Sequence, residues 1–485
     1  MKAVTKYISL ALLASFVSLS CGKNFLTEPP RTVTINDLLN NPQDGAQRLV
    51  AAVYSKLYDW DVHTFSWIGI SSITSDDADK GSQLGDAGTD KDLMDNWTFT
   101  TSGFSFNEEW VGLYDGIGRA AYALKFLPAM NLPQADKDRY IAEVKLLRAY
   151  FYWDLVRIFG GVPKIDHVLE SESDIAAAST RATEDDIYAF IEADCLEAIA
   201  KLPATVPTGE NGRVTKWSAT ALLAKAYLYQ KKWAQSKAMC DAIISSNQFS
   251  LMANYALIWR EVGEFSSESI WEVNAIGNGN TPKGVQQYSS VQDIRPRGWG
   301  FNTPTQDLVN AYEPGDTRKD ATIMFRGQTL WDGEVYPLSA PNDMYNYKAY
   351  TSRTMETWGG DADQTNKNLR LFRYGEILLI KAEVENELNN TTEAATYLNM
   401  IRNRAGLGNT TATTQTDLRT AIYKERRVEM AFEHDRTFDL RRTGRAGVVL
   451  RAHGKNYDDS KHNLFPIPQA QIDRSGGRLL QNPNY

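Results

Sequence analysis

Between residues 141 and 159 apolar side chains recur at helical spacing. Ile141, Val144, Leu147, Phe151, Leu155 and Ile158 form one stripe, and Leu146, Tyr150, Trp153, Val156 and Phe159 widen it until most of the circumference is hydrophobic. A helix apolar nearly all round must be covered on several sides, which predicts the middle of a helical stack. Gly160 supplies the positive-φ stop, and Pro163 prevents the helix from resuming. Charges survive on its C-terminal half at Arg148, Asp154 and Arg157, and the spacing of the last two predicts an internal ion pair that sets register.

The same periodicity recurs on both sides. Pro42 opens a helix with an apolar stripe at Ala46, Leu49, Val50, Val53, Tyr54 and Leu57. Ser105 and Glu108 predict a capping box before Trp110, Leu113, Ile117 and Leu124, and Gly112, Gly116 and Gly118 in that helix allow a close neighbour. The Gly116–Gly118–Ala121 spacing copies part of a dinucleotide fingerprint but lacks a preceding strand, so it is rejected. Thr183 and Asp186 predict a second capping box. Ala226 with Ala238, and Ala382 with Ala394, place small residues at equal offsets on two helical hairpins, as in tetratricopeptide-type units. From 247 to 368 periodicity fades, Gly and Pro are frequent, and only short strand-like pieces appear, such as 270–273 and 345–350. The expected fold is all-α, a tetratricopeptide-like α-α superhelix with a long irregular insertion carrying short strands. The expected divisions are a leader, 1–20, a helical region, 21–246, and a C-terminal region, 247–485, packed as one unit.

Composition narrows the function. The chain has 485 residues, is 42% hydrophobic and 23% charged, and carries a formal charge of -8, an acidic balance that disfavours nucleic acid as a partner. Lys2 and Lys6 precede an apolar run, Ile8 to Leu19, too short to span a bilayer comfortably, and Ser18-Leu19-Ser20-Cys21 reads as a lipoprotein cleavage box with Cys21 as the lipidated residue. The alternative is an ordinary signal peptide with an incidental cysteine. Cys195 and Cys240 then remain, expected as buried small hydrophobes, with a disulfide as the alternative.

Catalytic motifs are missing. The five histidines, at 63, 167, 434, 453 and 462, form no zinc spacing, and there is no GxSxG elbow or phosphate-cradling GxxxxGK[ST] loop. No enzyme activity, cofactor or metal site is expected. Asp76-Asp77-Ala78-Asp79 lacks the glycine and ligand pattern of an EF-hand calcium loop. Glu425, Glu429 and Glu433 share one helix face, with Arg426, Arg427, Arg436, Arg441 and Arg442 nearby, the mark of a solvated or internal ion network. The better clue is aromatic: Trp67, Trp97, Trp299, Trp331 and Trp358 fall in polar, turn-rich surroundings. Sugar rings pack flat C–H faces on indoles while their hydroxyls seek amide, carboxylate or guanidinium groups. Trp97 with Asn96, and Trp299 with Arg297, offer those combinations, and Asp77 is a further candidate.

Resemblance sharpens this. "EVKLLRAYFYWDLVRIFGGVP", "LRLFRYGEILLIKAEVENEL", "YLNMIRNRAGL", "YKERRVEMAFEHDRTFDLRRTG", "NLFPIPQAQID" and the closing "QNPNY" resemble, in order, blocks of the SusD/RagB family of surface nutrient-binding lipoproteins of Bacteroidetes-type bacteria. Phe25, Leu26 and Pro29 match the family's "FL…P" segment after the lipid cysteine; "EHDRTFDL" departs where relatives commonly carry a glycine. The resemblance implies an outer-membrane lipoprotein that binds a nutrient, most simply a glycan, and passes it to a SusC-like TonB-dependent transporter. It also implies a ligand face built from loops ahead of the "EEW" helix and ahead of "TP". Peptide uptake, as in other family members, and a pure protein–protein scaffold are the alternatives.

Overall fold

The computed structural model describes residues 35–485 apart from 88, 278–283, 296 and 361–362; the leader and Cys21 lie outside the described residues. Among the described residues nine long helices carry the architecture: α1 (Pro42–Tyr58), α2 (Phe104–Phe126), α3 (Gln134–Phe159), α4 (Glu184–Lys201), α5 (Lys216–Tyr229), α6 (Trp233–Ser245), α7 (Tyr374–Glu387), α8 (Thr391–Arg404) and α9 (Gln415–Met430). Each of α2 to α8 packs on the next in chain order, α1 covers α2 and α3, and α9 covers α7 and α8. This is the expected all-α superhelix.

Helix α3 sits inside it. Leu147, Phe151, Leu155 and Ile158 are fully buried, as is its second apolar row. Gly160 ends it at φ 74°, with Leu464 where a side chain would stand. The charges on its C-terminal half are internal: Arg157 contacts Asp154 and reaches Asp435 at 2.9 Å, and Arg148 grips Asp194 with two 2.9 Å hydrogen bonds. Glycine in α2 serves the same packing. A methyl at Gly116 would meet the Phe151 ring at 2.6 Å and one at Gly112 the Asp61 carbonyl oxygen at 2.3 Å, whereas nothing lies near Gly118.

Local signals fared unequally. The Thr183–Asp186 capping box forms in both directions. The Ser105–Glu108 box does not, because α2 begins two residues earlier, with Gly103 in place of Ser105 at the N-cap. The Ser105 hydroxyl instead donates to Asp90, and Glu108 accepts from Ser66. The hairpin repeat is real but its register differs from the expected one. Helix starts at Lys216 and Tyr374, and at Trp233 and Thr391, are offset equally, so Ala382 and Ala394 correspond to Ala224 and Ser236. Ala238 is exposed, and the Ser236 hydroxyl makes the crossing by donating to the Ala224 carbonyl at 2.8 Å.

Helix α6 packs directly on α7, so the intervening irregular segment is looped out of the superhelix. Its neck is clamped by β2 (Ser269–Val273) and β6 (Leu369–Arg373), antiparallel with Trp271 opposite Phe372. Two further two-stranded pairs are β1 (Ala78–Gly81) with β3 (Phe301–Pro304), and β4 (Ile323–Phe325) with β5 (Met344–Asn346). The acidic face of α9 is internal: Glu429 is fully buried among Arg318, Arg373 and Arg404, at 3.0, 2.5 and 2.5 Å. Burial opposes ionisation there, and the three guanidiniums outweigh it, holding the carboxyl well below the usual range. Cys195 and Cys240 are buried free thiols.

Candidate functional site

Strands β1 and β3 bring two distant loops together. Asp79 pairs with Thr303 and Gly81 with Phe301, and the ladder continues as the Ser82 amide donates to the Gly300 carbonyl at 2.6 Å. The chain leaves it through left-handed residues on both sides, Gly81 and Ser82 on one, Gly300 and Asn302 on the other. At Gly81 a side chain would strike the Gly300 oxygen at 2.6 Å, so the close approach requires glycine. Left-handed Ser82 and Asn302 cost backbone energy, which folds retain where loop placement matters.

This junction aims Trp299. Its amide donates to the Ser290 carbonyl at 2.8 Å, and its ring lies 5.7 Å from that of Trp60 and edge-on to Phe65 at 5.9 Å. Phe65 rests on Phe301 at 4.6 Å and on the Lys91 ammonium at 4.3 Å. Phe301 is buried, whereas Trp60, Phe65 and Trp299 are each half-buried, so three rings anchored below present surface above. Polar groups flank them: the Arg295 guanidinium donates to the Ser82 hydroxyl at 2.6 Å and to Asp86. The Ser82 hydroxyl, and then Arg295, hold the Asp86 carboxyl below its ordinary value, ready to accept from a hydroxyl. Fixed rings beside a charged acceptor–donor pair are what a sugar needs: flat apolar faces to cover and hydroxyls to satisfy.

The residues singled out in the sequence do not converge. Trp299 is at this face. Trp97 is only 2% exposed, stacked on Phe465 and donating its indole N–H to the Thr74 carbonyl, so in place of a surface ring it is part of the core. Asn96 is exposed, but its amide donates to the Asp92 carbonyl of its own helix. Arg297 is committed to Asp293 through two hydrogen bonds of 2.7 and 2.8 Å and lies over Tyr350, which corrects its expected role at the ligand. Asp77 is buried with Arg427 at 2.6 Å, which likewise removes it from a surface site. Burial raises its carboxyl while Arg427 opposes. Asp76 is held low despite burial, by Arg436 and Arg427. Asp76, Asp307 and His453 are close enough for a metal, yet the two guanidiniums already supply the positive charge.

Trp60 and Phe65 were missed in the sequence. They sit in short helices, Trp60–His63 and Phe65–Ile68, beside Trp67, which is buried against Phe438. The signal was the aromatic density of "DWDVHTFSW", which does not say which ring faces out. Trp331, 44% exposed, stands apart by Arg260 in the insertion, and Trp358 lies by Arg353.

The helical superhelix thus presents partly exposed rings from short helices and a loop on one face. Two family models match the chain in succession: one described as starch-binding associating with outer membrane, over residues 42–228, and the SusD family, over 267–485. The chain belongs to the SusD/RagB family. It is 28% identical to a SusD-like protein, P2, of Formosa agariphila, over 83% of this chain and 85% of that one. Among solved structures it is similar to a laminarin binding SusD-like protein, at 28% identity and TM-score 0.79, covering 91% of this chain and 99% of that one. It is also similar to surface glycan-binding protein A of Bacteroides thetaiotaomicron in complex with laminarihexaose, at 26% identity and TM-score 0.78, with the same coverage. No helix among the described residues is long and apolar enough to cross a membrane.

Proposed function

We propose that this protein is an outer-membrane surface lipoprotein, anchored through Cys21, that binds a glycan on the Trp60–Phe65–Trp299 face and passes it to a SusC-like TonB-dependent transporter. The observation that carries the reading is that face: three partly exposed rings, held from beneath by Phe301 and Lys91, beside Arg295 and Asp86. The laminarin and laminarihexaose named for two similar structures make a laminarin-type glucan the first ligand to try. Stacking on a shallow face gives weak affinity per sugar, and a polymer recovers it by repeated contact. Electrophoresis of the purified protein through gels containing laminarin, starch or no polysaccharide tests this. Retardation in a polysaccharide gel, abolished by Trp299→Ala, supports it. Equal mobility across a panel of polysaccharides, with binding to peptides instead, moves the protein to peptide uptake, and binding to neither leaves a protein–protein scaffold.

A further inference from the structure

A groove of about 350 Å³ is lined by the loop before α5 and by the segments 248–249 and 265–272, and it shares no residue with the Trp60–Phe65–Trp299 face. Its volume suits a small ligand. One side of it is Phe265, a bulky residue held at φ 50° and still 40% exposed. An aromatic residue in the left-handed region is strained, and folds keep such strain where a side chain must be aimed. Several contacts impose it. The Phe265 amide donates to the buried Glu272 carboxylate at 3.0 Å, and the Ser250 amide ties down the Ser267 carbonyl at 2.9 Å. The turn just before it needs Gly263, where a side chain would strike the Leu257 carbonyl oxygen at 1.9 Å. The ring so placed packs on no other ring or cation among the described residues.

Two further rings form a fixed wall. Phe249 is half-buried and meets Trp217 edge-on at 6.4 Å; the Trp217 indole donates to the Gln248 side-chain oxygen at 2.8 Å, and the Lys216 ammonium lies over it at 4.4 Å. Phe265 is therefore the ring with a face to offer. Around it the polar groups are neutral and available. Thr205, Asn211 and Gln248 are exposed and Ser266 is half-buried. The Thr205 and Ser266 hydroxyls, the Asn211 side-chain amide and the Gln248 NH2 make no hydrogen bond to any described residue. The two charged side chains of the lining are engaged within the protein. Arg213 pairs with Glu143 at 2.8 Å and Glu210 at 3.2 Å, and Glu272 accepts from the Asn368 amide at 3.0 Å as well as from Phe265, with Arg370 at 3.6 Å.

Water wets such a groove but gains nothing from a strained, outward-facing ring. A carboxylate or phosphate ligand would meet no unpaired cation here, and an ammonium no unpaired carboxylate. A peptide could use the same polar groups, but its apolar side chains call for an enclosed slot rather than one open ring face. A pyranose fits both halves of the lining: its C–H face covers the ring, and its hydroxyls donate to and accept from neutral hydroxyls and amides alike.

We propose that this groove is a second carbohydrate site, taking a short stretch of neutral pyranose sugar with one ring on Phe265 and its hydroxyls on Thr205, Asn211, Gln248 and Ser266. Glu272 is a positioning residue that holds the Phe265 backbone. The site is built from other residues than the Trp60–Phe65–Trp299 face, so its fate is independent of that reading.

The test first removes the other face. In the full chain carrying Trp60→Ala and Trp299→Ala, saturation-transfer difference NMR should still register laminaribiose or maltose. Adding Phe265→Gly, or Asn211→Ala, should weaken that binding by about fivefold or more in Kd. Glycine adopts φ 50° without strain, so Phe265→Gly should melt within about 2 °C of its parent, whereas loss of a ring used for packing would lower the melting temperature well beyond that. If the double variant does not fold, a crystal of the unaltered protein soaked in laminaribiose should show a sugar ring against Phe265. No transfer to either disaccharide, binding indifferent to Phe265→Gly and Asn211→Ala, a large melting loss in Phe265→Gly, or a soaked crystal empty at Phe265 would each overturn the proposal. Transfer to N-acetyl-trialanine amide but to neither sugar would also overturn it and give the groove to peptides.

Discussion

The indole of Trp97 lies parallel to the ring of Phe465, centroids 5.5 Å apart and planes 12° from each other, although 368 positions of chain separate the two. Tyr457 meets the same indole edge-on at 4.7 Å, and the Thr74 carbonyl takes its N–H at 2.9 Å. The C-terminal segment therefore closes over a residue that the local sequence paints as exposed. Trp97→Ala should cost about 3–5 kcal/mol of stability in denaturant titration, the range for emptying a buried aromatic site. Ligand affinity per folded molecule should be unchanged. A stable variant with lost binding would return Trp97 to the ligand face.

Two glycines two residues apart in α2 provide an internal control on packing. Gly116 faces Phe151 at 2.6 Å from where a Cβ would be, and Gly118 faces open space. Gly116→Ala should destabilise by about 1–3 kcal/mol through overpacking. Gly118→Ala should instead stabilise by about 0.5–1 kcal/mol, from helix propensity and a less flexible unfolded chain. Paired chemical melts read both, and equal effects would mean that α2 and α3 do not interlock as described.

Much of the scaffold was legible because it is periodic. The apolar stripe of α3, the Thr183 cap and the Gly160 stop are local rules acting locally. Three misreadings share one physical cause, which is a partner supplied by another element: Ser105 is drawn to Asp90, Asp77 to Arg427 and Trp97 to Phe465. Arg297 is taken locally instead, by Asp293 four residues before it. Trp299 was legible because glycines flank it, while Trp60 and Phe65 became a face only when β1 and β3 paired. Polarity of neighbours in sequence says little about neighbours in space once loops are packed on a solenoid.

His434 makes the fold acid-sensitive. Its ring nitrogens engage the Ser71 hydroxyl at 2.8 Å and the Tyr288 hydroxyl at 2.6 Å, and burial, with His63 adding to it, lowers its pKa to about 3; Asp435 opposes, while Arg157 and Lys348 reinforce. The unfolded chain thus binds a proton here from about pH 6.5 downward while the folded one does not, so this contribution is present above pH 6.5 and lost as pH falls towards 3. The slope from this group is at most about 1.4 kcal/mol per pH unit. His434→Gln should flatten the stability profile between about pH 6.5 and 4 relative to the parent, as read by denaturant midpoints. Parallel profiles would remove His434 from the acid response.

The anchor reading has a simple consequence. Cys21→Ala should move the protein from the membrane fraction to the soluble one, or leave it uncleaved. Unchanged membrane fractionation after removal of both the leader and the cysteine would end the lipoprotein assignment.

Ligand binding and folding separate most clearly at Trp299 and Trp60. Each ring is half-buried, with its inner edge against Phe65 or its partner indole and its outer surface open. Truncating either removes stacking surface from a sugar, so Trp299→Ala and Trp60→Ala should each weaken glycan binding by about 1 kcal/mol or more, roughly fivefold in Kd. Stability should change little, because the rings lie above the packed core formed by Phe301, Ile68 and Val291. At 5.7 Å the two indoles support each other, so the double variant should lose less than the sum of the singles. Trp331→Ala, an exposed ring elsewhere, should bind as the parent does. Calorimetric titration with the retarding glycan measures all four. If Trp331→Ala alone abolished binding while Trp60→Ala and Trp299→Ala were silent, the ligand face would lie on the insertion near Arg260, and the Trp60–Trp299 pair would be loop packing.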